Sequence, residues 1–249
     1  MSGNLDNLNN YRLIQKYSKM ICNYKELHKE ETIYIIASGK SIDYIDSDFF
    51  SNKITIGVNQ TYKKFVPTYL VRKEHQLIDE ILDLNLDTIH FISKGNCGEN
   101  YINNSTYNLT SNIRQQLENN NIVIYDHIIN RLSNIKALPD NDNALIASNS
   151  TITTAIHLAA YMGARYIVLV GHDCGSLDNE INFSGYHDKL TYSIIHGREN
   201  PEEKYRSLLK IIENQTIKLK TLLKEKYGCD IYSLNPFINF GLEGHVYTK

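Results

Sequence analysis

Ser148-Asn149-Ser150-Thr151-Ile152-Thr153-Thr154-Ala155-Ile156-His157-Leu158-Ala159-Ala160-Tyr161-Met162-Gly163, continuing after Ala164 into Arg165-Tyr166-Ile167-Val168-Leu169-Val170-Gly171-His172-Asp173, decides the fold. Small hydroxylated residues open an apolar helix and Gly163 closes it. A run of aliphatics then re-enters a sheet and ends in Gly171-His172-Asp173. Ser and Thr at a helix start can cap it and leave its first N–H groups facing an anion. The end of the following strand is where open α/β sheets place ligand-contacting side chains. A phosphate-bearing ligand is the expectation.

Outward from this unit, Thr32-Ile33-Tyr34-Ile35-Ile36-Ala37 is a β-rich run of the kind covered on both faces in a parallel sheet. Further strands are expected over 53–58, 68–72, 88–92, 122–125, 166–170 and 230–234, with helices over 76–84, 111–119, 151–162 and 202–227. Apolar positions from Leu8 to Tyr24, mostly three or four apart, predict an amphipathic leading helix within residues 1–30. Strands alternating with helices predict a single Rossmann-like domain spanning 1–249: α/β, doubly wound and mostly parallel, with helices on both faces. Asn-rich intervals at 95–112 and 130–150 read as loops, and 174–200, long and aperiodic, reads as a lid.

The chain has 249 residues, enough for one large α/β domain. Apolar residues make up 42% and charged residues 22%, which argues against disorder. A formal net charge of −2 speaks against nucleic acid as the main partner. The sequence contains no long apolar run and no signal-peptide pattern, so a cytoplasmic protein is expected. Its four cysteines, Cys22, Cys97, Cys174 and Cys229, form no CxxC pair and read as reduced thiols.

Ser38-Gly39-Lys40-Ser41 resembles the end of a P-loop, but Tyr34 stands where that motif requires its first glycine. What remains is a strand-turn unit whose backbone N–H groups could approach a phosphate, or a plain tight turn. Asn59-Gln60 follows the second strand and Arg72-Lys73-Glu74-His75 the third, both at rim positions. Asp173, at the end of a buried strand, must be solvated, paired, bound to a ligand, or capping a turn. His187 and His196 in the expected lid have the side chain suited to acid–base work near neutrality. His157, mid-helix, reads as a core residue.

These motifs together resemble a family. Ile35-Ile36-Ala37-Ser38-Gly39-Lys40-Ser41-Ile42 is similar to the opening nucleotide-binding motif of the bacterial lipooligosaccharide sialyltransferases that use CMP-sialic acid. The wider superfamily includes the motility accessory factor glycosyltransferases and archaeal 6-hydroxymethyl-dihydropterin pyrophosphokinases. Val58-Asn59-Gln60 resembles the second motif, Ser150-Thr151 with Gly163 and Ile167–Asp173 the helix-strand block, and Ile231–Pro236 the closing strand. Ser38 and Lys40 stand where the family usually has Asn and Pro.

The resemblance implies a metal-independent, inverting transferase moving a nonulosonic acid from a CMP donor to a glycan acceptor in surface-glycan synthesis. It implies His196 or His187 as base, and Ser38, Gly39, Ser41, Asn59, Gln60, Lys73, Gly171 and Asp173 around the nucleotide. Ser150, Thr151, Tyr186 and Tyr192 would stand at the leaving phosphate. No cofactor is expected, and the implied setting allows peripheral association at the inner face of the cell membrane and homo-oligomerisation. Alternatives are a Mg-dependent pyrophosphokinase, with Asp173, Glu74 and Asp188 as metal donors, and a non-catalytic nucleotide-sugar binding protein.

Overall fold

The computed structural model describes residues 19–72, 84, 86–93, 121–129, 138, 144–148, 150–186, 201–234 and 247–248. The expected helices at 76–84 and 111–119 lie almost wholly outside these residues. So do Lys73, His187, Tyr192 and His196.

The strands are β1 (Lys19–Met20), β2 (Thr32–Ile36), β3 (Ile54–Val58), β4 (Tyr69–Arg72), β5 (Ile89–Ser93), β6 (Ile122–Ile129), β7 (Ala144–Ala147), β8 (Tyr166–Val170), β9 (Ser176–Leu177), β10 (Asp230–Ser233) and β11 (Tyr247–Thr248). Nine form one sheet in the order β1-β6-β5-β4-β3-β2-β8-β10, with β7 also on β6. The pairings of β2 with β3 and β8, and those outward to β6 and β10, are all parallel. The small β9–β11 pair is antiparallel. The molecule is thus the expected α/β fold with a mostly parallel sheet.

Alternation along the strands supplies two layers of core. Ile33 and Ile35 of β2 and Ile167 and Leu169 of β8 face helix α1 (Thr151–Tyr161), while Ile36 and Val170 face the opposite side with Ile42, Ile45, Phe65 and Phe183. Every residue of α1 is buried, because the sheet covers one side and helix α2 (Pro201–Tyr227) packs on it. That explains a sequence that is apolar or hydroxylated all round rather than amphipathic. Ile212, Leu219, Leu222 and Leu223 of α2 complete this layer. Pro201 at the first helical position begins α2 without losing a needed N–H.

Two expectations need correction. The segment from Lys19 to Glu30 is not helical: β1 leads into a 3-10 turn over Ile21–Tyr24, and Glu26 and Glu30 adopt positive φ of 55° and 63°. Its backbone instead bonds the end of α1, with N–H groups of Glu26, His28 and Glu30 donating to Tyr161, Met162 and Gly163 carbonyls. Ile21 and Tyr24 are apolar at helical spacing because both are buried in the core of the α1 layer. The interval 130–150, expected to be loop, contains β7, whose Leu145 and Ile146 are fully buried.

Candidate functional site at the sheet switch point

The strand order reverses direction between β2 and β8. Chain-consecutive strands run outward from β2 through β3, β4, β5 and β6, and then β8 returns to the other side of β2. A crevice outside the carboxyl ends of two such strands is where open α/β sheets bind ligands. Ser38–Ser41 leaves β2 there and Gly171–Asp173 leaves β8 there. Asn59 and Gln60 leave β3 at the same edge, since the strands are parallel. Helix α1, running from the carboxyl end of β7 back to the amino end of β8, also begins on this side.

The crevice floor is tightly tied. Gly39 N–H donates to Gly171 O at 2.8 Å, and a Cβ on Gly39 would sit 2.3 Å from that oxygen and 2.5 Å from Asp173 Oδ2. The Asp173 carboxylate accepts from Ser41 N–H at 2.9 Å and from Ser41 Oγ at 2.5 Å. Burial raises the Asp173 pKa and the two Ser41 bonds pull it back only in part. Lys40 N–H donates to Ile181 O, and Phe183 N–H to Ser38 O. The N–H groups of Gly39, Lys40 and Ser41 are therefore all taken up inside the protein. Of the two readings of this turn, the anchored tight turn is the one observed, with Asp173 as its cap.

The first half of the expected lid is docked on that turn. Beyond the Lys40 and Phe183 bonds, Asn182 bridges Gly39, and Asp43 accepts from Ser184 N–H at 2.9 Å and Oγ at 2.8 Å. Lys40 Nζ lies 3.0 Å and Lys64 Nζ 3.3 Å from the Asp43 carboxylate. Burial acts to raise the Asp43 carboxyl, but the Ser184 and Lys40 contacts outweigh it and leave it below the ordinary range. Tyr186 ends this stretch with its ring against Phe183 at 5.3 Å.

At the helix entrance Ser150 is the N-cap, its Oγ accepting from Ile152 N–H at 3.4 Å. Thr151 is buried, and Thr153 Oγ1 donates to Ser150 O at 2.7 Å. Two histidines brace the site from behind. His157 Nδ1 accepts from Ile146 N–H at 3.0 Å, so its proton sits on Nε2, 3.2 Å from the Tyr227 hydroxyl. Burial, with Lys226 nearby, drops its pKa to about 3. His172 Nε2 lies 2.9 Å from Thr216 Oγ1, whose own proton goes to Ile212 O. Burial lowers its pKa to about 4 against the opposing charge of Glu213.

Among the predicted residues, Ser38, Gly39, Ser41, Gly171 and Asp173 come together at the crevice. Asn59 and Gln60 stand one strand away, and Ser150 and Thr151 start α1 at the same edge. Residues not anticipated are Thr61, which follows β3, and His90, the second residue of β5, both buried; Arg72, named within the rim cluster after the third strand, is buried at the carboxyl end of β4. His90 within Ile89-His90-Phe91-Ile92 was the available signal, being a lone polar residue in a strand covered on both faces. Among the described residues no group of three or more His, Cys, Asp or Glu is placed to hold a metal ion, and no helix is long and apolar enough to cross a membrane.

The chain matches no family model and no curated protein sequence. Among solved structures it is similar to the sialyltransferase CstII from Campylobacter jejuni in complex with a substrate analogue, cytidine-5'-monophosphate. The match has 16% identity and a TM-score of 0.44, and covers 85% of this chain and 84% of that one.

Proposed function

We propose that this chain is a glycosyltransferase that transfers a nonulosonic acid from a CMP-activated donor to a glycan hydroxyl. The observation that carries the reading is the reversal of strand order between β2 and β8, whose carboxyl ends carry the Ser38–Ser41 and Gly171–Asp173 segments. The four sequence blocks resembling sialyltransferase motifs lie at this edge or lead to it. Because the turn N–H groups are taken up internally, the anchored turn acts as a rigid wall, and the nucleotide would be read by side chains such as Ser38 and Asn59. Asn59 holds a φ of 53°, a left-handed conformation that asparagine tolerates better than most residues.

The acceptor oxygen would attack the anomeric carbon as the bond to the CMP phosphate breaks, and the acceptor proton would pass to His196 or His187. Negative charge then grows on the departing phosphate. The α1 entrance, with Ser150 and Thr151, would stabilise it electrostatically, together with Tyr186 and Tyr192. Both Asp173 oxygens accept from Ser41, which commits this carboxylate to anchoring the turn and weighs against the pyrophosphokinase alternative.

CMP alone, without added metal, is expected to raise the melting temperature of the full chain. Stabilisation by ATP with Mg²⁺ but not by CMP would overturn the donor class. His196→Ala is expected to lower turnover by about a hundredfold or more, as loss of a general base does, while CMP affinity stays within about twofold. Normal turnover in that variant would pass the role to His187.

A further inference from the structure

The sheet face turned away from α1 carries two exposed rings at its β8–β10 end. Tyr166 of β8 is 40% exposed and Tyr232 of β10 52%. Ile167, Leu169 and Ile231 of the same strands belong to the α1 layer, so alternation sets Tyr166, Val168 and Tyr232 on the other face. β10 ends the sheet on this side, with β8 as its neighbour. Asp230 pairs with Tyr166 and Tyr232 with Val168, so the two tyrosines meet diagonally, their ring centroids 6.0 Å apart. Leaving two large rings side by side in water is unfavourable, and contiguous exposed apolar surface marks interaction sites.

Each ring has a cation beside it. The Arg165 guanidinium lies 5.7 Å from the Tyr166 centroid and Lys220 Nζ 5.9 Å from that of Tyr232, near the outer reach of a cation–π contact, so the charges flank the rings without covering them. Arg165 Nη1 donates to Gly228 O at 3.1 Å, which fixes the guanidinium at this edge. Asp230 and Glu30 are the acidic groups that act on Arg165. Of these, Asp230 is paired with Lys224 at 2.7 Å, a bond that holds its carboxyl below the ordinary range. Arg165, Lys220 and Lys224 therefore outnumber the acids. A second copy laid on this face about a two-fold axis would bring these cations towards their own counterparts, so the charge selects an anionic partner.

Tyrosine faces stack on the C–H faces of sugar rings, and a carboxylate on such a sugar is met by Lys or Arg. We propose that Tyr166 and Tyr232, with Arg165 and Lys220, form a docking surface for an acidic glycan, a chain of sugar acids whose rings lie on the tyrosines while their carboxylates face the two cations. The surface points towards the crevice. Leu234, following β10, packs on the cluster that holds Val170 and Phe183 at the carboxyl end of β8. A glycan on the tyrosines thus runs along β10 with one end towards that edge. The surface stands on exposure and charge; only its service to an acceptor at the crevice rests on the transferase reading.

Tetragalacturonate, with a carboxylate on every sugar, is the probe, and maltotetraose its uncharged counterpart. In calorimetry on the full chain at low salt, tetragalacturonate is expected to bind the parent and maltotetraose to bind at least about tenfold more weakly, for want of charged hydrogen bonds. Tyr232→Ala should weaken tetragalacturonate at least about fivefold through loss of a stacking ring, and Tyr232→Phe should restore it. Lys220→Gln should weaken it about threefold and flatten its salt dependence. Because both positions are exposed, the variants should melt with the parent, and CMP should bind all of them alike. The surface is overturned if the parent does not bind tetragalacturonate, if Tyr232→Ala binds it undiminished, if maltotetraose binds equally well, or if poly-glutamate binds as tightly, which would mark an acidic polypeptide as the partner. Failure of CMP to bind a parent that still binds tetragalacturonate would sink the nucleotide reading and leave the surface standing.

Discussion

Acidification from pH 7 to pH 5 is expected to destabilise this protein by about 5 kcal/mol, close to the whole margin of a small domain. Three histidines carry the effect. His90 and His172 have folded pKa values of about 4 and His157 about 3, against an ordinary value of 6.5, and burial is the first cause in each case. Above pH 6.5 all three are neutral whether folded or unfolded, and contribute no pH dependence. Below it the unfolded chain takes up protons that the folded one refuses, so stability falls by about 1.4 kcal/mol per pH unit per histidine until the folded values are reached. For one group that amounts to about 2 kcal/mol at pH 5. Asp173 acts the other way, because a carboxyl raised by burial binds its proton more readily when folded.

The geometry adds a reason for His157 in particular. Its Nδ1 already accepts the Ile146 N–H, so a second proton there would face a donor and break the tie between β7 and α1. Urea denaturation at pH 7.5, 6 and 5 reads the slope directly. His157→Asn should be less stable at pH 7.5 and show a slope about one third shallower, since one of three titrating groups is gone. A parent stability that is flat from pH 7 to 5 would contradict the burial of all three rings.

The same burial explains what could be read from the chain and what could not. β2, β4 and β8 announce themselves because a strand covered on both faces has no room for polar alternation, and Ile33, Ile35, Leu70, Val71, Ile167 and Val170 are fully buried. The start of α1 was legible because Ser150 does locally what an N-cap does. Failures came where distant contacts outvote local pattern. Ile21 and Tyr24 sit at helical spacing, yet the next residues are drawn into hydrogen bonds with the end of α1 that no local rule foresees. β7 is four residues in an Asn-rich interval, too short for periodicity to register, and exists because β6 offers it an edge. At the site, the residue types and their rim positions could be read, but whether Asp173 meets a ligand or Ser41 depends on how two strand ends meet, 132 residues apart in sequence. Nor could a sequence show that Tyr166 and Tyr232, from two separate strands, set their rings 6.0 Å apart.

Gly39→Ala is expected to cost about 2–4 kcal/mol and to abolish CMP binding, an effect of space rather than of backbone freedom. Gly39 has φ −67° and ψ 157°, an extended conformation open to any residue. Its added Cβ, however, would stand 2.3 Å from Gly171 O and 2.5 Å from Asp173 Oδ2. Neither oxygen can yield cheaply. Gly171 O accepts the Gly39 N–H itself, and Asp173 is held by two bonds from Ser41. Relief requires the ends of β2 and β8 to part by about 1 Å, which detaches Ser41 from Asp173 and leaves a buried carboxylate short of partners. Because those two ends wall the crevice, binding falls with stability.

Gly185→Ala separates space from strain. Gly185 has a φ of 88° with nothing within 4 Å of its missing Cβ, so it should lose only about 1–2 kcal/mol from the left-handed backbone. It should still bind CMP. Urea denaturation gives both stabilities and calorimetry both affinities. A Gly39→Ala protein as stable as Gly185→Ala, or one that still binds CMP, would mean that β2 and β8 do not meet as closely as 2.8 Å between Gly39 N and Gly171 O requires. The crevice would then have another floor.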